Sequence, residues 1–133
     1  MIHETIALWD KHPEATLTSY CITSTAELKL SPRRAVVVCP GGGYHFLSDR
    51  EAEPIAMNLM PWDYNVFVLH YSCAPHCFPS QLLEVAAAME LIHKNADLWH
   101  NDLDKVAIMG FSAGGQLCAS FGLEYEKSTN WIV

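Results

Sequence analysis

The sequence predicts an α/β fold, with a parallel sheet and helices on both faces of that sheet. Three short segments are largely apolar and β-branched, at residues 35–39, 64–71 and 105–109. Strands without polar alternation are buried on both faces, which is the pattern of a parallel sheet. A segment with helical spacing of apolar residues follows each one, and this alternation is typical of right-handed strand–helix–strand crossovers.

The chain is more polar before the first of these strands. Residues 15–23 alternate loosely between apolar and polar side chains, which predicts an early, half-exposed strand. Residues 24–34 are polar and end in Ser-Pro-Arg-Arg, so we expect a loop there.

The three predicted helices differ in how they begin. Ser48 and Glu51 have capping-box spacing, but Pro54 would then lie inside the helix. We therefore expect an irregular lead-in and a helix that begins near Pro54. Residues 80–94 carry an apolar stripe at helical spacing. Residues 113–121 are apolar and start with small residues, which predicts a helix directly after the third strand.

Length and composition limit the classes of protein that fit. The chain has 133 residues, of which 50% are hydrophobic and 17% are charged, so it can bury the core of one domain spanning residues 1–133. Its 8 basic and 15 acidic residues give a net charge of −7, which disfavours binding to nucleic acid or to an anionic membrane surface. No apolar run approaches the ~20 residues of a membrane-spanning helix, and no basic-then-apolar leader opens the sequence. We therefore expect a cytoplasmic protein.

The five cysteines favour a reduced protein over a disulfide framework. They are odd in number, scattered along the chain and embedded in apolar runs: Cys21, Cys39, Cys73, Cys77 and Cys118. Cys73 and Cys77 are the only close pair, and no second pair of Cys or His residues stands at zinc-ligand spacing. We expect small buried thiols, with no metal and no cofactor.

Residues 110–114 read Gly-Phe-Ser-Ala-Gly and fit the pattern G-x-S-x-G. The pattern directly follows a buried strand and opens a helix, which is the position of a nucleophile elbow. In that turn the serine takes a strained backbone, and its side chain stands at a helix N-terminus, where N–H groups favour developing negative charge. We therefore predict that Ser112 is a nucleophile. A structural glycine-rich turn is the plainer alternative.

A second glycine-rich turn, residues 40–43, follows another buried strand and reads Pro-Gly-Gly-Gly. Glycine N–H groups approach a ligand without obstruction by a Cβ atom, so this loop could supply one oxyanion donor and the Ala113 N–H the other. A phosphate-binding loop fits less well, because no G-K-[ST] follows and G-x-G-x-x-G breaks at Phe46. A purely structural turn is the remaining alternative.

Four segments of the chain together resemble a known family. They are residues 40–54, 64–75, 78–92 and 104–120, and they contain both glycine motifs in the right order and separation. The chain resembles the α/β-hydrolase fold esterases, and most of all their acetyl-esterase branch, which is related to hormone-sensitive lipase and to bacterial xylan or feruloyl esterases.

The resemblance implies roles for particular residues. Ser112 would be the nucleophile of an acyl-enzyme mechanism, and Gly42, Gly43 and Ala113 would offer oxyanion N–H groups. The implied substrate is a small-molecule or sugar ester with a short acyl group, such as an acetyl group on a plant polysaccharide. Asp63 departs from the family, which usually has a glycine before the second buried strand.

The resemblance also exposes a gap in the catalytic triad. In this fold the acid and then the histidine follow the nucleophile along the chain. Only 21 residues follow Ser112, and they contain Glu124 and Glu126 but no Asp and no His. We therefore expect a truncated α/β-hydrolase fold, the N-terminal half of an esterase, with weak or no activity. His45 and His76 follow strands at the predicted catalytic edge and are possible substitute bases.

A non-catalytic fragment or pseudoenzyme, acting as a binding or assembly module, is the alternative function. His70 and His93 lie within a strand and a helix, and we interpret both as structural histidines with satisfied hydrogen bonds.

The predicted strand 105–109 should form an exposed edge of the sheet. In the family, one neighbour of this strand is the strand that ends at the glycine-rich loop. Its other neighbour comes from later in the sequence. Only Lys105 guards the strand against pairing with another chain. We expect a homodimer or larger association through this edge, although residues 131–133 could instead form a covering strand.

Overall fold

The computed structural model describes residues 1–124, and its centre is a five-stranded mixed sheet. The strands lie in the order β1-β2-β4-β3-β5. Their bounds are Thr5–Ala7 for β1, Thr16–Tyr20 for β2, Arg33–Cys39 for β3, Tyr64–His70 for β4 and Asn101–Gly110 for β5. The three apolar strands β3, β4 and β5 run parallel, as predicted, whereas β1 and β2 add antiparallel at one side.

The antiparallel side differs from the sequence-based prediction in two ways. Strand β1 was not predicted, because it is only three residues long and lies at the edge with mostly exposed side chains. Strand β2 is almost wholly buried rather than half-exposed, because it pairs with β1 on one side and with β4 on the other.

Within residues 1–124, four helices pack on the sheet. Their bounds are Glu53–Leu59 for α1, Ser80–Lys94 for α2, Ala96–Trp99 for α3 and Ala113–Glu124 for α4, with short 3-10 turns at Asp49–Glu51 and Met60–Trp62. Pro54 lies in the first turn of α1, where a missing N–H costs nothing, and the irregular lead-in before it is confirmed. The four-residue helix α3 was not predicted from the sequence.

The core lies on both faces of the sheet, because alternate strand residues point in opposite directions. Val37 and Phe67 pack on one face, in the cluster that contains side chains of α2 and α4. Val36 and Val66 pack on the other face, against Ala56 of α1. The predicted arrangement of helices on both faces is therefore confirmed. None of the helices within residues 1–124 is long and apolar enough to cross a membrane.

Strand β5 forms an edge of the described sheet. It begins at Asn101, four residues earlier than predicted, and a shift in its register with β3 accommodates the polar first half. Within residues 1–124 its ladder partner is β3 alone. The predicted covering strand at residues 131–133 lies outside the described residues.

A buried arginine stabilises the turn before β4. Arg33 was assigned to a loop, but it begins β3 and is only 6% exposed. Its guanidinium donates to the carboxylate of Asp63 at 2.8 Å and to the carbonyl oxygens of Met60 and Tyr64 at 2.9 and 3.0 Å. Asp63 has a φ of 74°, in the left-handed region that favours glycine. This geometry explains why a glycine would suit position 63, and the ion pair with Arg33 offsets part of the strain.

Candidate active site

The turn between β5 and α4 places Ser112 on the surface in a strained conformation. Ser112 is exposed and has a φ of 51°. Hydrogen bonds fix the turn on each side of it, from Phe111 N–H to the Cys39 carbonyl at 3.1 Å and from Gln116 N–H to the Ser112 carbonyl at 3.0 Å. A non-glycine residue held at positive φ costs free energy and is typical of functional sites.

Gly114 allows the helix to approach the sheet closely. A Cβ atom at this position would overlap the carbonyl oxygen of Cys39, the last residue of β3, and would lie 2.6 Å from the carbonyl oxygen of Pro40. The start of α4 therefore rests directly on the segment that leads into the glycine-rich turn. No side chain larger than hydrogen fits at position 114 without displacing one of these backbones.

The glycine-rich turn lies against the serine. A Cβ atom at Gly41 would be 3.1 Å from the Cβ atom of Ser112. Gly42 has a φ of 146°, a conformation that L residues rarely adopt. Within residues 1–124 the backbone N–H groups of Gly42, Gly43 and Ala113 donate to no protein acceptor. Unpaired donors thus lie on both segments that meet at Ser112.

The two candidate bases follow the strands whose carboxyl ends form the expected edge of the sheet. His45 follows β3 and His76 follows β4, and both are exposed. The described residues include no hydrogen bond between Ser112 and either histidine. The His76 ring stacks on the ring of His12, with centroids 4.2 Å apart.

His12 belongs to a polar cluster that includes Ser72 and Glu84. Its Nε2 lies 2.8 Å from Ser72 Oγ, and its Nδ1 lies 2.8 Å from Glu14 Oε2. The buried carboxylate of Glu84 accepts hydrogen bonds from the backbone N–H and the hydroxyl of Ser72. This cluster fixes the loop that carries His76, and within residues 1–124 no hydrogen bond joins its members to Ser112.

Of the two structural histidines, one behaves as predicted. His93 Nδ1 lies 2.8 Å from the Met89 carbonyl oxygen. His70 Nδ1 is buried and has no hydrogen-bond partner within the described part of the chain, so the prediction of a satisfied His70 is wrong. Burial lowers the pKa of His70, an effect that the charge of Asp49 partly opposes.

A cavity opens one helical turn from the serine. Its volume is about 320 Å³, and it lies between α4, the start of α2 and the loop before α2. Apolar and polar side chains share its lining, including Tyr44, His76, Phe78, Leu82, Gln116 and Ser120. Within residues 1–124, no three His, Cys, Asp or Glu side chains are grouped as a metal site requires.

Comparisons with known proteins identify the family of the chain. The profile of the BD-FAE family matches residues 24–130. The chain belongs to the BD-FAE family. It is 36% identical over 100 residues to endo-1,4-beta-xylanase B of Butyrivibrio fibrisolvens and 33% identical over 103 residues to the acetylxylan esterase of Xylanibacter ruminicola. It also superposes, with a TM-score of 0.83 and 43% identity, on MGS-M1, an alpha/beta hydrolase enzyme from a Medee basin deep-sea metagenome library.

These relatives are all longer than the BD-FAE chain described here. The matches cover 71% and 75% of the chain but only 15% of the xylanase and 22% of the esterase. The superposition on MGS-M1 covers 88% of the chain and 49% of that enzyme. The fold is therefore part of an α/β-hydrolase fold, and the predicted family resemblance is confirmed.

Three residues that support the candidate site were not predicted from the sequence. Glu51 Oε1 accepts a hydrogen bond from the Gly41 N–H at 3.2 Å, so it fixes the glycine-rich turn. Tyr44 donates its hydroxyl to the Ala113 carbonyl at 3.1 Å, and the Tyr71 hydroxyl donates to the Pro40 carbonyl. Long-range contacts of this kind leave no local sequence pattern.

Burial keeps both tyrosine hydroxyls in the donor form. It raises the pKa of Tyr44, with smaller contributions from the nearby thiols of Cys39 and Cys118. It raises the pKa of Tyr71 further, again as the largest cause. Both phenols are therefore protonated through the neutral range. Tyr44 joins the glycine-rich turn to the turn that carries Ser112, and Tyr71 joins the glycine-rich turn to the segment after β4.

Proposed function

We propose that this BD-FAE chain carries the nucleophile and oxyanion site of a serine carboxylic-ester hydrolase. The observation that carries the proposal is the exposed Ser112 at positive φ, on a strand-to-helix turn that lies against a glycine-rich loop. A strained, exposed serine in this position is the signature of a nucleophile elbow.

The proposed reaction proceeds through an acyl-enzyme. Ser112 Oγ attacks the ester carbonyl carbon and gives up its proton to a base, and the carbonyl oxygen becomes an oxyanion. The unpaired N–H groups of Ala113 and of Gly42 or Gly43 donate to that oxyanion. The tetrahedral intermediate then expels the alcohol, which takes a proton. Water attacks the resulting acyl-serine and releases the carboxylic acid.

The proposed substrates are short acyl esters of sugars or other small molecules. The support comes from the relatives, since one is an acetylxylan esterase and another is a xylanase. The cavity beside α4 is large enough to receive part of such a molecule, and it offers both apolar walls and polar groups.

No histidine is assigned as the general base of Ser112 in this chain. None of the seven histidines follows Ser112 in this chain, and neither His45 nor His76 is hydrogen-bonded to the serine within residues 1–124. We propose that Ser112 of the 133-residue chain still reacts with covalent probes, but that the chain hydrolyses esters slowly. A Ser112 that fails to react at all would favour the non-catalytic binding or assembly module.

Covalent labelling tests the nucleophile directly. The chain is treated with a fluorophosphonate probe, and its intact mass and modified peptide are measured. We expect one adduct, on Ser112, which Ser112→Ala abolishes and Ser120→Ala retains. The control is well matched, because Ser120 lies on the same helix and lines the cavity. Labelling that is unchanged in Ser112→Ala, or absent from the wild-type chain, would contradict the proposed nucleophile.

Turnover of p-nitrophenyl acetate tests the base. Oxyanion and binding contributions without an intact triad typically leave about 10³–10⁴-fold catalysis over water. We expect a rate in that range for the wild-type chain, lowered by Ser112→Ala. Full esterase rates that depend on Ser112 would show that His45 or His76 acts as the base, and separate His45→Ala and His76→Ala variants would identify which.

A further inference from the structure

The carboxylate of Glu51 lies beside the side chain of Ser112. A Cβ atom built at Gly41 would be 3.1 Å from Glu51 Oε1 and also 3.1 Å from Ser112 Cβ. The two side chains therefore flank one point, and these two atoms are separated by no more than twice that distance. Because glycine has no Cβ atom, no side chain of residue 41 stands between them.

Hydrogen bonds to the glycine-rich turn hold Glu51 in this position. The Gly41 N–H donates to Glu51 Oε1 at 3.2 Å, and the Gly41 carbonyl oxygen accepts from the Ser48 N–H at 2.8 Å. The Glu51 N–H in turn donates to the Ser48 carbonyl oxygen at 3.0 Å. Residues 48–51 thus bind both backbone polar groups of Gly41, and this fixes the half-buried carboxylate next to the serine.

The carboxylate keeps accepting capacity after it binds Gly41. An ionised carboxylate has two oxygens with about four lone-pair sites, and the Gly41 N–H occupies one of them. Within residues 1–124, no basic side chain forms an ion pair with Glu51. Ser112 and Glu51 share no direct hydrogen bond in this part of the chain, and a general base can also take its proton through one water.

We propose that Glu51 is the general base of Ser112 in this chain. The inference rests on the proposed function, because it supplies the proton acceptor that the acyl-enzyme mechanism needs. As Ser112 Oγ bonds to the ester carbonyl carbon, its proton passes to a bridging water, which gives one of its own protons to the Glu51 carboxylate. The π bond of the carbonyl breaks and its electron pair moves to the oxyanion. When the C–O bond to the alcohol breaks, the proton returns from Glu51 by the same route to the alcohol oxygen.

A carboxylate in this role agrees with the slow turnover proposed above. General-base efficiency depends on how closely the proton affinity of the base matches the working pH, and a carboxylate is a weaker base than an imidazole. Glu51 would therefore activate Ser112 less well than a triad histidine. It would still raise the reactivity of Ser112 above that of a serine with no base.

The test compares two glutamate-to-glutamine variants. The second-order rate constant of fluorophosphonate labelling is measured by intact mass for the wild-type chain, Glu51→Gln and Glu53→Gln. Glutamine keeps an oxygen that accepts from the Gly41 N–H, but it does not take up the serine proton. We expect Glu51→Gln to label at least about tenfold more slowly than the wild-type chain. Glu53 is an exposed carboxylate two residues later, so Glu53→Gln should label at the wild-type rate.

A second variant, Glu51→Ala, separates the carboxylate from the side chain that carries it. Thermal melts first establish that this variant is folded. Added formate supplies a free carboxylate in the space that the shortened side chain leaves. We expect formate to speed the labelling of Glu51→Ala and to leave the wild-type rate unchanged.

Two results would overturn the assignment of Glu51 and leave Ser112 as the nucleophile. The first is a Glu51→Gln chain that labels as fast as the wild-type chain, which would limit Glu51 to positioning the glycine-rich turn. The second is a folded Glu51→Ala chain whose labelling formate does not speed. A wild-type chain that does not label at all would instead contradict the proposed nucleophile, so the two failures are distinguishable.

Discussion

Replacing Ser112 with glycine should stabilise the protein while it removes the proposed nucleophile. Ser112 is exposed and has a φ of 51°, a conformation in which the Cβ atom of a non-glycine residue crowds the backbone at a cost of about 1–2 kcal/mol. Its exposure means that a smaller side chain leaves no cavity. The stability change therefore comes from the backbone and not from lost packing.

The matched comparison is between Ser112→Gly and Ser112→Ala. Alanine removes the hydroxyl but keeps the Cβ atom, whereas glycine removes both. Glycine also gives the unfolded chain more freedom, which costs about 0.4–1 kcal/mol. The relief of strain exceeds this cost, so Ser112→Gly should be more stable than Ser112→Ala by roughly 1 kcal/mol. For a chain of this size that difference raises Tm by about 4 °C.

Urea unfolding and thermal melts of both variants measure this difference. The control pair is Ser120→Gly and Ser120→Ala, because Ser120 lies inside α4, where glycine should be the less stable residue by about 1 kcal/mol. The two positions should thus give opposite signs. If Ser112→Gly is less stable than Ser112→Ala by the same amount as at position 120, the strained-turn argument is wrong.

Three further predictions concern stability and assembly. Arg33→Met should cost about 1.5–3 kcal/mol in urea unfolding, because it removes the charged hydrogen bonds of a buried guanidinium to two partly buried carbonyls, while Asp63→Asn should cost less than about 1 kcal/mol because Asp63 is largely exposed. The lowered pKa of His70 means that the folded chain binds fewer protons than the unfolded chain below the ordinary value near 6.5. Stability should therefore fall as pH drops from about 6.5 toward the lowered folded pKa, and His70→Phe should lose that slope. Light scattering should detect concentration-dependent association through β5, and Ala107→Lys should leave a folded monomer; a wild-type chain that is monomeric at tens of micromolar would contradict this.

The parallel half of the fold could be predicted because its strands are buried on both faces. Continuous apolar runs in β3 and β4 and a helical stripe in α2 are local patterns, and each was sufficient to place its element. The antiparallel side could not be predicted in the same way. Strand β1 is short and exposed, and the burial of β2 depends on the neighbours that it acquires only in the folded sheet.

In the candidate site, too, residues in local motifs could be predicted and residues that act through long-range contacts could not. Ser112 and the glycine-rich turn each belong to a motif that directly follows a parallel strand. The sequence was therefore sufficient to predict that both lie at the carboxyl ends of the strands. Glu51 and Tyr44 act through contacts with residues far along the chain or in an irregular segment, and no periodicity marks them. The buried role of Arg33 was hidden because an arginine beside a proline looks like part of a solvated loop.

The position of β5 has a consequence for the order of folding. Cys39 pairs with Gly110, 71 positions later, whereas β1 and β2 pair within a local hairpin. Closing the longer loop costs more entropy, so β5 should join the sheet after the local pairs have formed. Like β1 at the opposite edge, β5 has one ladder partner within residues 1–124, so it can fray more readily than the strands that are paired on both sides. The turn that holds Ser112 at positive φ thus depends on the last-formed pairing of the described sheet, and any partner that adds to this edge would rigidify the serine from a distance.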